Sequence, residues 1–308
     1  MSFMGLWAAF TATALTFWTA AAPADSLRAP DPGPDAIVGG VPTDPGEFGG
    51  VVAILAGQGL CTGTVVSPRV VLTAGHCLAD IDDAQDIEVY YGDELSSEDV
   101  VLVDSFGIHP QFCPDCNDEI FDYGYLELAS DFPLADDILP PIIDQEEWDQ
   151  TMGKGGSVLI VGYGEDPDVN DKDRGIGTKR RVTTYIDRIT DNGYEFYAGG
   201  DHRDSCKGDS GGPAFVQLTS GDWRLAGVVS RGSNPCGDGG FYGVPYPALP
   251  WLRMEADLDL CGSACSTCDC LDTAPYEKEG CTVDVSPHGP VTLSFILLTI
   301  VGLRRRYR

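Results

Sequence analysis

The chain is short of positive charge. Its 308 residues carry 19 Lys and Arg against 48 Asp and Glu, a formal net charge of −29. Phosphate backbones are bound by clustered Lys and Arg, so this balance argues against nucleic acid as a partner. It suits a soluble, self-repelling secreted surface. Histidine is scarce too, with four in the chain, so each one is conspicuous. The pair Cys113 and Cys116 has no second C-x-x-C at zinc spacing in the same region. A local disulfide staple is the expected reading there, with a redox motif or a zinc half-site as alternatives. The acidic stretch from Asp166 to Gly175 lacks the spacing and closing Glu of an EF-hand. A structural calcium ion there is the alternative to a solvated loop, and no cofactor is required. Glycine and cysteine are plentiful by contrast. The 38 Gly and 21 Pro imply many turns, as in an all-β architecture. Eleven Cys imply an oxidising compartment, and their odd number leaves one outside any intramolecular pairing.

Both ends of the chain read as processing segments. Residues 1–24 are apolar and small, with Ala22-Pro23-Ala24 as an A-x-A cleavage site, although no Lys or Arg precedes the apolar run. This pattern predicts a secretory signal peptide, against the alternative of a membrane anchor. Residues 25–36 are rich in Pro and Asp without periodicity and read as a pro-segment. At the other end, residues 259–290 form a Cys-rich linker holding Cys261, Cys265, Cys268, Cys270 and Cys281. Residues 291–308 form a hydrophobic tail ending in Arg304, Arg305, Arg306 and Arg308. The thirteen apolar residues from Val291 to Leu303 are short for a span, which needs ~20. The arrangement resembles bacterial C-terminal sorting tails, with a retained short anchor as the alternative. The chain is therefore expected to be exported, and either secreted or held at the cell surface.

Between these ends, short apolar runs alternate with turn residues. Val51 to Leu55, Cys61 to Ser67, Val70 to Leu72, Ile87 to Gly92, Val100 to Val103 and Leu126 to Leu128 read as strands. So do Ser157 to Tyr163, Arg181 to Ile189, Tyr194 to Ala198, Ala214 to Leu218 and Leu225 to Val229. Trp251 to Leu258 reads as a short closing helix. Cys206-Lys207-Gly208-Asp209-Ser210-Gly211-Gly212-Pro213 is the stretch with the most chemistry. Its glycines permit a tight exposed turn and let N–H groups approach a ligand without a Cβ in the way. A serine there can act as a nucleophile if a base is at hand, and the same turn can stabilise an oxyanion. Two upstream residues are candidates for the remaining roles. His76 ends a strand beside Cys77, and Asp122 opens another, where a turn aspartate is the plainer reading.

Taken in order, Ile37-Val-Gly-Gly40, Leu72-Thr-Ala-Gly-His-Cys77, Asp122-Tyr-Gly-Tyr-Leu-Glu-Leu128 and Asp204-Ser-Cys-Lys-Gly-Asp-Ser-Gly-Gly-Pro213 resemble a trypsin-like serine protease of the chymotrypsin family. Ser230-Arg-Gly232 and Gly240-Phe-Tyr242 add to the likeness, which covers residues 37–258. The resemblance implies an all-β fold of two six-stranded antiparallel β-barrels packed together, with a short C-terminal helix. It implies hydrolysis of peptide bonds through an acyl-enzyme, with Ser210 as nucleophile, His76 as base and Asp122 as its orienter. The N–H groups of Gly208 and Ser210 would form the oxyanion hole. Cys61 would pair with Cys77 and Cys206 with Cys236. A new N-terminus at Ile37 would pair with Asp209 and order the turn. Asp204 at the pocket floor, with Ser230, Gly232 and Gly240 on the walls, would select Arg or Lys. The plainer reading of Asp204 is one more surface acid in an acidic chain. A monomer acting on protein or peptide substrates is implied, and a non-catalytic homologue serving as a surface binding module is the alternative.

Two departures from the family pattern stand out. Ala36 precedes Ile37 where a basic residue is usual, so a separate activating protease is expected, besides any enzyme that processes the tail. Arg231 stands in place of an aromatic residue, and Lys207 lies beside the pocket entrance. Together they predict either a preference for acidic residues flanking the cleaved bond, or side chains that merely point to water.

Overall fold

A computed structural model describes residues 37–275, other than 97, 115–119, 135–136, 166–174, 263–264 and 266. The proposed signal peptide, the pro-segment, the acidic loop at 166–174, Cys116, Cys281 and the hydrophobic tail all lie outside the described residues.

The first barrel is closed by six antiparallel strands, β2 (Val51–Ala56), β3 (Gly59–Ser67), β4 (Val70–Thr73), β5 (Ile87–Tyr90), β6 (Val100–Ile108) and β7 (Gly124–Leu128). They run in the order β2-β3-β4-β7-β6-β5, and β5 returns to pair with β2. The second barrel comprises β8 (Ser157–Gly162), β9 (Arg180–Ile189), β10 (Glu195–Ala198), β11 (Pro213–Gln217), β12 (Trp223–Gly232) and β13 (Gly240–Gly243). Their order is β9-β10-β13-β12-β11-β8, closed by β8 against β9, and the two-residue β1 (Val41–Pro42) adds to β9. Closure removes the unpaired edges through which sheets aggregate.

The side-chain pattern explains why these segments are strands. Along β9, Val182, Thr184 and Ile186 are buried while Thr183, Tyr185 and Asp187 are exposed, the period-2 alternation of a half-buried strand. β2 is apolar throughout because both of its faces are covered. Val52 and Ile54 fill the first barrel with Val65, Leu126 and Leu128. Val51 and Ala53 face the second barrel's core, with Leu72, Phe196, Phe215 and Tyr242. The barrel seam is therefore a continuation of the second core. Tyr163 crosses it, and its hydroxyl lies 2.6 Å from the Gly92 carbonyl and 3.0 Å from that of Val51. Burial holds this phenol far above its ordinary pKa, so it stays a neutral donor.

Two short helices complete the domain. α1 (Gln145–Thr151) escapes a periodicity reading because it is only seven residues long. Its local signal is nevertheless present: Asp144 caps it by accepting from the N–H groups of Glu146 and Glu147. α2 (Leu249–Glu255) is the closing helix, somewhat earlier and shorter than the sequence pattern suggests. Trp251 anchors it, with its ring 5.0 Å from His109 and 5.4 Å from Tyr125, so the last helix braces the first barrel.

The Cys-rich segment is not a loose linker in its described part. Cys261 pairs with Cys268 and Cys265 with Cys270. All but Cys270 are buried, as are Leu271 and Thr273. The Tyr246 hydroxyl accepts from the N–H groups of Cys270 (2.8 Å) and Leu271 (3.0 Å). Gln145 bonds the backbone of Asp272 in both directions, at 2.9 and 3.2 Å. The compact unit accordingly runs to Pro275. Among the described residues no helix is long and apolar enough to cross a membrane.

Removing the Tyr246 hydroxyl strands two backbone donors. Tyr246→Phe should cost about 1–3 kcal/mol, read as a lower denaturant midpoint. Hydrogen exchange should accelerate at Cys270 and Leu271 while barrel amides keep their protection. Unchanged exchange at those two amides would mean that the disulfides alone hold the segment.

Candidate active site

The site lies where loops from both barrels meet. β4 ends at Thr73, and Gly75–Cys77 makes one 3₁₀ turn that carries His76. The Cys61–Cys77 disulfide ties this turn to β3. Asp122 sits just before β7 in an aromatic setting. His109 stacks on Phe121 at 4.7 Å, and burial lowers the His109 pKa to about 4, so this second histidine is a neutral packing group.

Asp122 is 5% exposed and receives three donors. The His76 backbone N–H reaches its Oδ1 at 2.9 Å, and His76 Nδ1 lies 2.8 Å from its Oδ2. The Ser230 hydroxyl donates to Oδ2 at 2.7 Å. The plainer expectation for Asp122, a turn aspartate bonding its own loop, does not describe it. With Nδ1 on the carboxylate, Nε2 is the ring nitrogen directed away from it.

Ser210 lines a cavity of about 220 Å³ together with Ser205, Cys206, Lys207, Val229 to Asn234 and Cys236. Its carbonyl accepts from the Thr62 N–H at 2.8 Å, placing the serine turn against β3. Cys206 pairs with Cys236 and closes the cavity wall. Within the turn, the N–H groups of Asp209, Gly211 and Gly212 are all committed to protein carbonyls. Those of Gly208 and Ser210 have no acceptor among the described residues. Gly208 has φ +96°, and a Cβ there would lie 2.8 Å from the Gly164 Cα, so no other residue fits.

Two buried carboxylates flank this turn. Asp209 is fully buried and accepts from the N–H groups of Cys206 and Gly164, both at 2.8 Å. Burial outweighs those bonds and raises its pKa to about 7, with nearby Asp204 adding to the effect. Asp209 has no cationic partner among the described residues. Ile37, its expected partner, is buried with φ 50°, in peptide linkage to the preceding residue. Asp204 is 1% exposed, so it is not a surface acid. Its carboxylate accepts from the N–H groups of Ser205 and Gly239 at 2.8 Å and of Gly237 at 3.3 Å, with the Tyr242 hydroxyl at 3.4 Å. Burial raises its pKa despite these donors. Neither Asp204 nor Gly240 lines the 220 Å³ cavity, whereas Ser230, Gly232, Lys207 and Arg231 do.

Arg231 departs from both expectations made for it. It neither offers an isolated cation to the cleft nor points to water. Its two terminal nitrogens grip the Glu195 carboxylate at 2.5 and 2.9 Å, and Glu195 is only 4% exposed. Lys207 is exposed at the cavity edge. Two residues at the site were not singled out from sequence. Thr62 donates its hydroxyl to the Gly208 carbonyl at 2.8 Å and accepts from the Tyr163 N–H. Glu195 had one available signal, as a lone acid inside the apolar strand segment Tyr194 to Ala198.

Cys113 is disulfide-bonded. Three clusters of metal-ligating side chains occur among the described residues, and each contains a pair of mutually oxidised cysteines. Sulfurs in a disulfide are not thiolate ligands.

A family model described as Trypsin matches residues 37–252, which span both barrels and include His76, Asp122 and Ser210. The chain belongs to the trypsin family. Serine protease 7 of Drosophila melanogaster is 28% identical over 218 residues, covering 60% of this chain and 53% of that protein. The chain thus spans about half the length of that relative. Trypsin 5G1 of Aedes aegypti is 27% identical over 224 residues, covering 68% of this chain and 79% of that protein. The chain therefore carries a domain of the serine-protease type. Its disulfides fit an oxidising, extracytoplasmic setting.

The Asp209 environment has a pH signature. Its folded pKa of about 7 lies above the ordinary 3.8, so the folded chain binds this proton more tightly than the unfolded chain. The associated stability is complete below about pH 3.8 and is lost as pH rises to about 7. Asp209→Asn in the unprocessed chain should flatten this dependence. Across that window the wild-type melting temperature should fall relative to the variant's, and parallel curves would contradict the buried, unpaired carboxylate.

Proposed function

We propose that the protein is an exported serine endopeptidase that cleaves after Arg or Lys and is made as an inactive precursor. The observation that carries the catalytic reading is the buried Asp122 holding His76 by both its backbone N–H and Nδ1. This fixes the imidazole tautomer, with the proton on Nδ1 and the lone pair on Nε2. Nε2 then takes the Ser210 hydroxyl proton as Oγ attacks the peptide carbonyl, and later gives it to the leaving amine. Asp122 stays ionised and stabilises the imidazolium formed between those steps. The Gly208 and Ser210 amides, without an acceptor among the described residues, suit the oxyanion, where one such donor is worth about 10²–10³ in kcat.

Specificity for Arg or Lys rests on Asp204. It lies six residues before Ser210, and burial disfavours its ionised form. Asp204 does not itself line the cavity but is bonded to Ser205, which does, and a guanidinium or ammonium reaching past Ser205 to the carboxylate would relieve that cost. The precursor reading rests on Asp209, which is buried with two amide donors and no described cation. A free amine created at Ile37 would supply one, and breaking such a buried pair from one side costs about 3–5 kcal/mol. Because Ala36 precedes Ile37, an enzyme specific for Arg or Lys would not make that cut. A different protease is the proposed activator.

A fluorophosphonate probe applied to protein cleaved before Ile37 should label Ser210, and Ser210→Ala should abolish the labelling. Absence of labelling on correctly cleaved protein would leave the fold serving as a binding module. Asp122→Asn should lower kcat by about 10⁴, the loss known for this change in the template of the mechanism. Incubation of pure precursor should leave the Ala36–Ile37 bond intact. N-terminal sequencing that finds Ile37 would overturn the requirement for a separate activator.

A further inference from the structure

The second barrel carries another cavity, apart from Ser210. It measures about 380 Å³, against about 220 Å³ for the one beside Ser210, and the two share no lining residue. Sites for small organic ligands span about 300–1,000 Å³, so there is room for one. Two strands fix its position. β8 ends at Gly162, where a Cβ would run into the Asp209 carboxylate, and β11 begins at Pro213 directly after the serine turn. Ser157 and Gln217, at the opposite ends of β8 and β11, line the larger cavity. At the rise of a strand, β8 covers about 17 Å from Ser157 to Gly162. A ligand in this cavity would leave the serine turn uncovered.

Its lining is wholly uncharged, although charged residues make up 22% of the sequence. Polar groups are nevertheless on offer. The Ser157 and Thr183 hydroxyls and the Trp223 indole N–H have no partner among the described residues. Gln217 donates to the Gly221 carbonyl at 3.0 Å, which leaves its amide oxygen open. Gln150 and Thr219 bond in both directions at 2.9 and 3.0 Å, fixing the Gln150 amide with one N–H to spare. Trp223 is half-buried, whereas Trp148 and Trp251, the other described tryptophans, are buried. Phe48 meets the Trp223 ring edge to face at 5.9 Å and supports it.

These features select one class of ligand. With no cation in the lining, a phosphate or carboxylate would find nothing to offset its lost hydration. A peptide adding as a strand needs an open sheet edge, and both barrels are closed. An apolar molecule would leave the hydroxyls and amides unpaired. A neutral sugar meets every condition. Its hydroxyls donate and accept, as do the hydroxyls of Ser157 and Thr183 and the Gln amides. A pyranose also has a face of C–H groups that fits against an indole, whose polar N–H stays at the ring edge. We propose that this cavity binds a neutral oligosaccharide, with Trp223 as the platform for one ring and Ser157, Thr183 and Gln217 bonding its hydroxyls. The site would hold the protein to a glycan while the cavity around Ser210 stays open. It stands independently of the peptidase reading.

The test is an NMR titration of the ¹⁵N-labelled full chain with maltotetraose, cellotetraose, mannotetraose and tetra-N-acetylchitotetraose. The Trp223 indole N–H peak, identified by its loss in Trp223→Phe, should shift saturably with at least one of these sugars. A dissociation constant of about 0.1–10 mM is expected. Followed through the Ser157 and Gln217 amides, binding should weaken about tenfold in Trp223→Ala. Thr183→Arg, at an exposed position of β9, should fill the cavity and abolish the shifts while the melting temperature stays unchanged. This variant serves if replacing Trp223 disturbs the fold. Tetragalacturonate, whose rings carry carboxylates, should bind no better than the neutral sugars. No saturable shift with any of the four neutral sugars, shifts that persist in Thr183→Arg, or preferential binding of tetragalacturonate would each overturn the proposal. Peptide hydrolysis reports separately. Sugar binding by a chain that hydrolyses no peptide would remove the peptidase reading and leave the glycan site standing.

Discussion

The Asp122 carboxylate is the point on which the site depends. A buried carboxylate is costly unless donors replace the lost water, and here all three come from elements other than its own. His76 supplies two from the first barrel, and Ser230 supplies the third from β12 of the second. The polar requirement of one group therefore fixes the relation of two barrels. Displacing either barrel would strand a charge in the seam, a far larger penalty than the loss of a few apolar contacts. The scaffold answers with matching rigidity: Tyr163 ties the seam by its hydroxyl, and Trp251 braces the first barrel from α2.

The serine turn is held on different terms. Asp204 and Asp209 are both buried and supported mainly by backbone amides, and Asp204 adds to the cost of ionising Asp209. Val38 also lies against Asp204, whose N–H donates to the Val38 carbonyl at 3.2 Å. Gly39 approaches the His202 carbonyl so closely that a Cβ would lie 2.2 Å from it. The first described residues of the chain are thus in contact with the loop that carries Asp204. Chemistry at residue 37 has a short physical route to the pocket.

Much of this was legible in the sequence, for identifiable reasons. The strands are short and bounded by Gly, Pro or Asp, so their positions follow from alternation and turn chemistry. The fold followed from a set of local motifs in one order rather than from any single one. The carboxylates were harder. Asp122, Asp204 and Asp209 look like other acids in a chain with 48 of them, and only motif register separates them. What stayed hidden depended on contacts between distant strands. Glu195 and Arg231 lie 36 residues apart, and no local pattern says that they meet. Read alone, Arg231 looked like an uncompensated cation, and its partner changed its chemistry. α1 was hidden by brevity, and the docking of the Cys-rich segment by its dependence on Tyr246 and Gln145 far upstream.

That docked segment has a mechanical consequence. Its two disulfides close loops only 7 and 5 residues apart in sequence, so little slack can be drawn out of them. Tension applied to the chain beyond Pro275 would first load the Gln145–Asp272 bonds and the Tyr246 hydroxyl. A pulling force would so be divided between α1 and the turn that leads into α2 instead of passing along a single stretch of backbone.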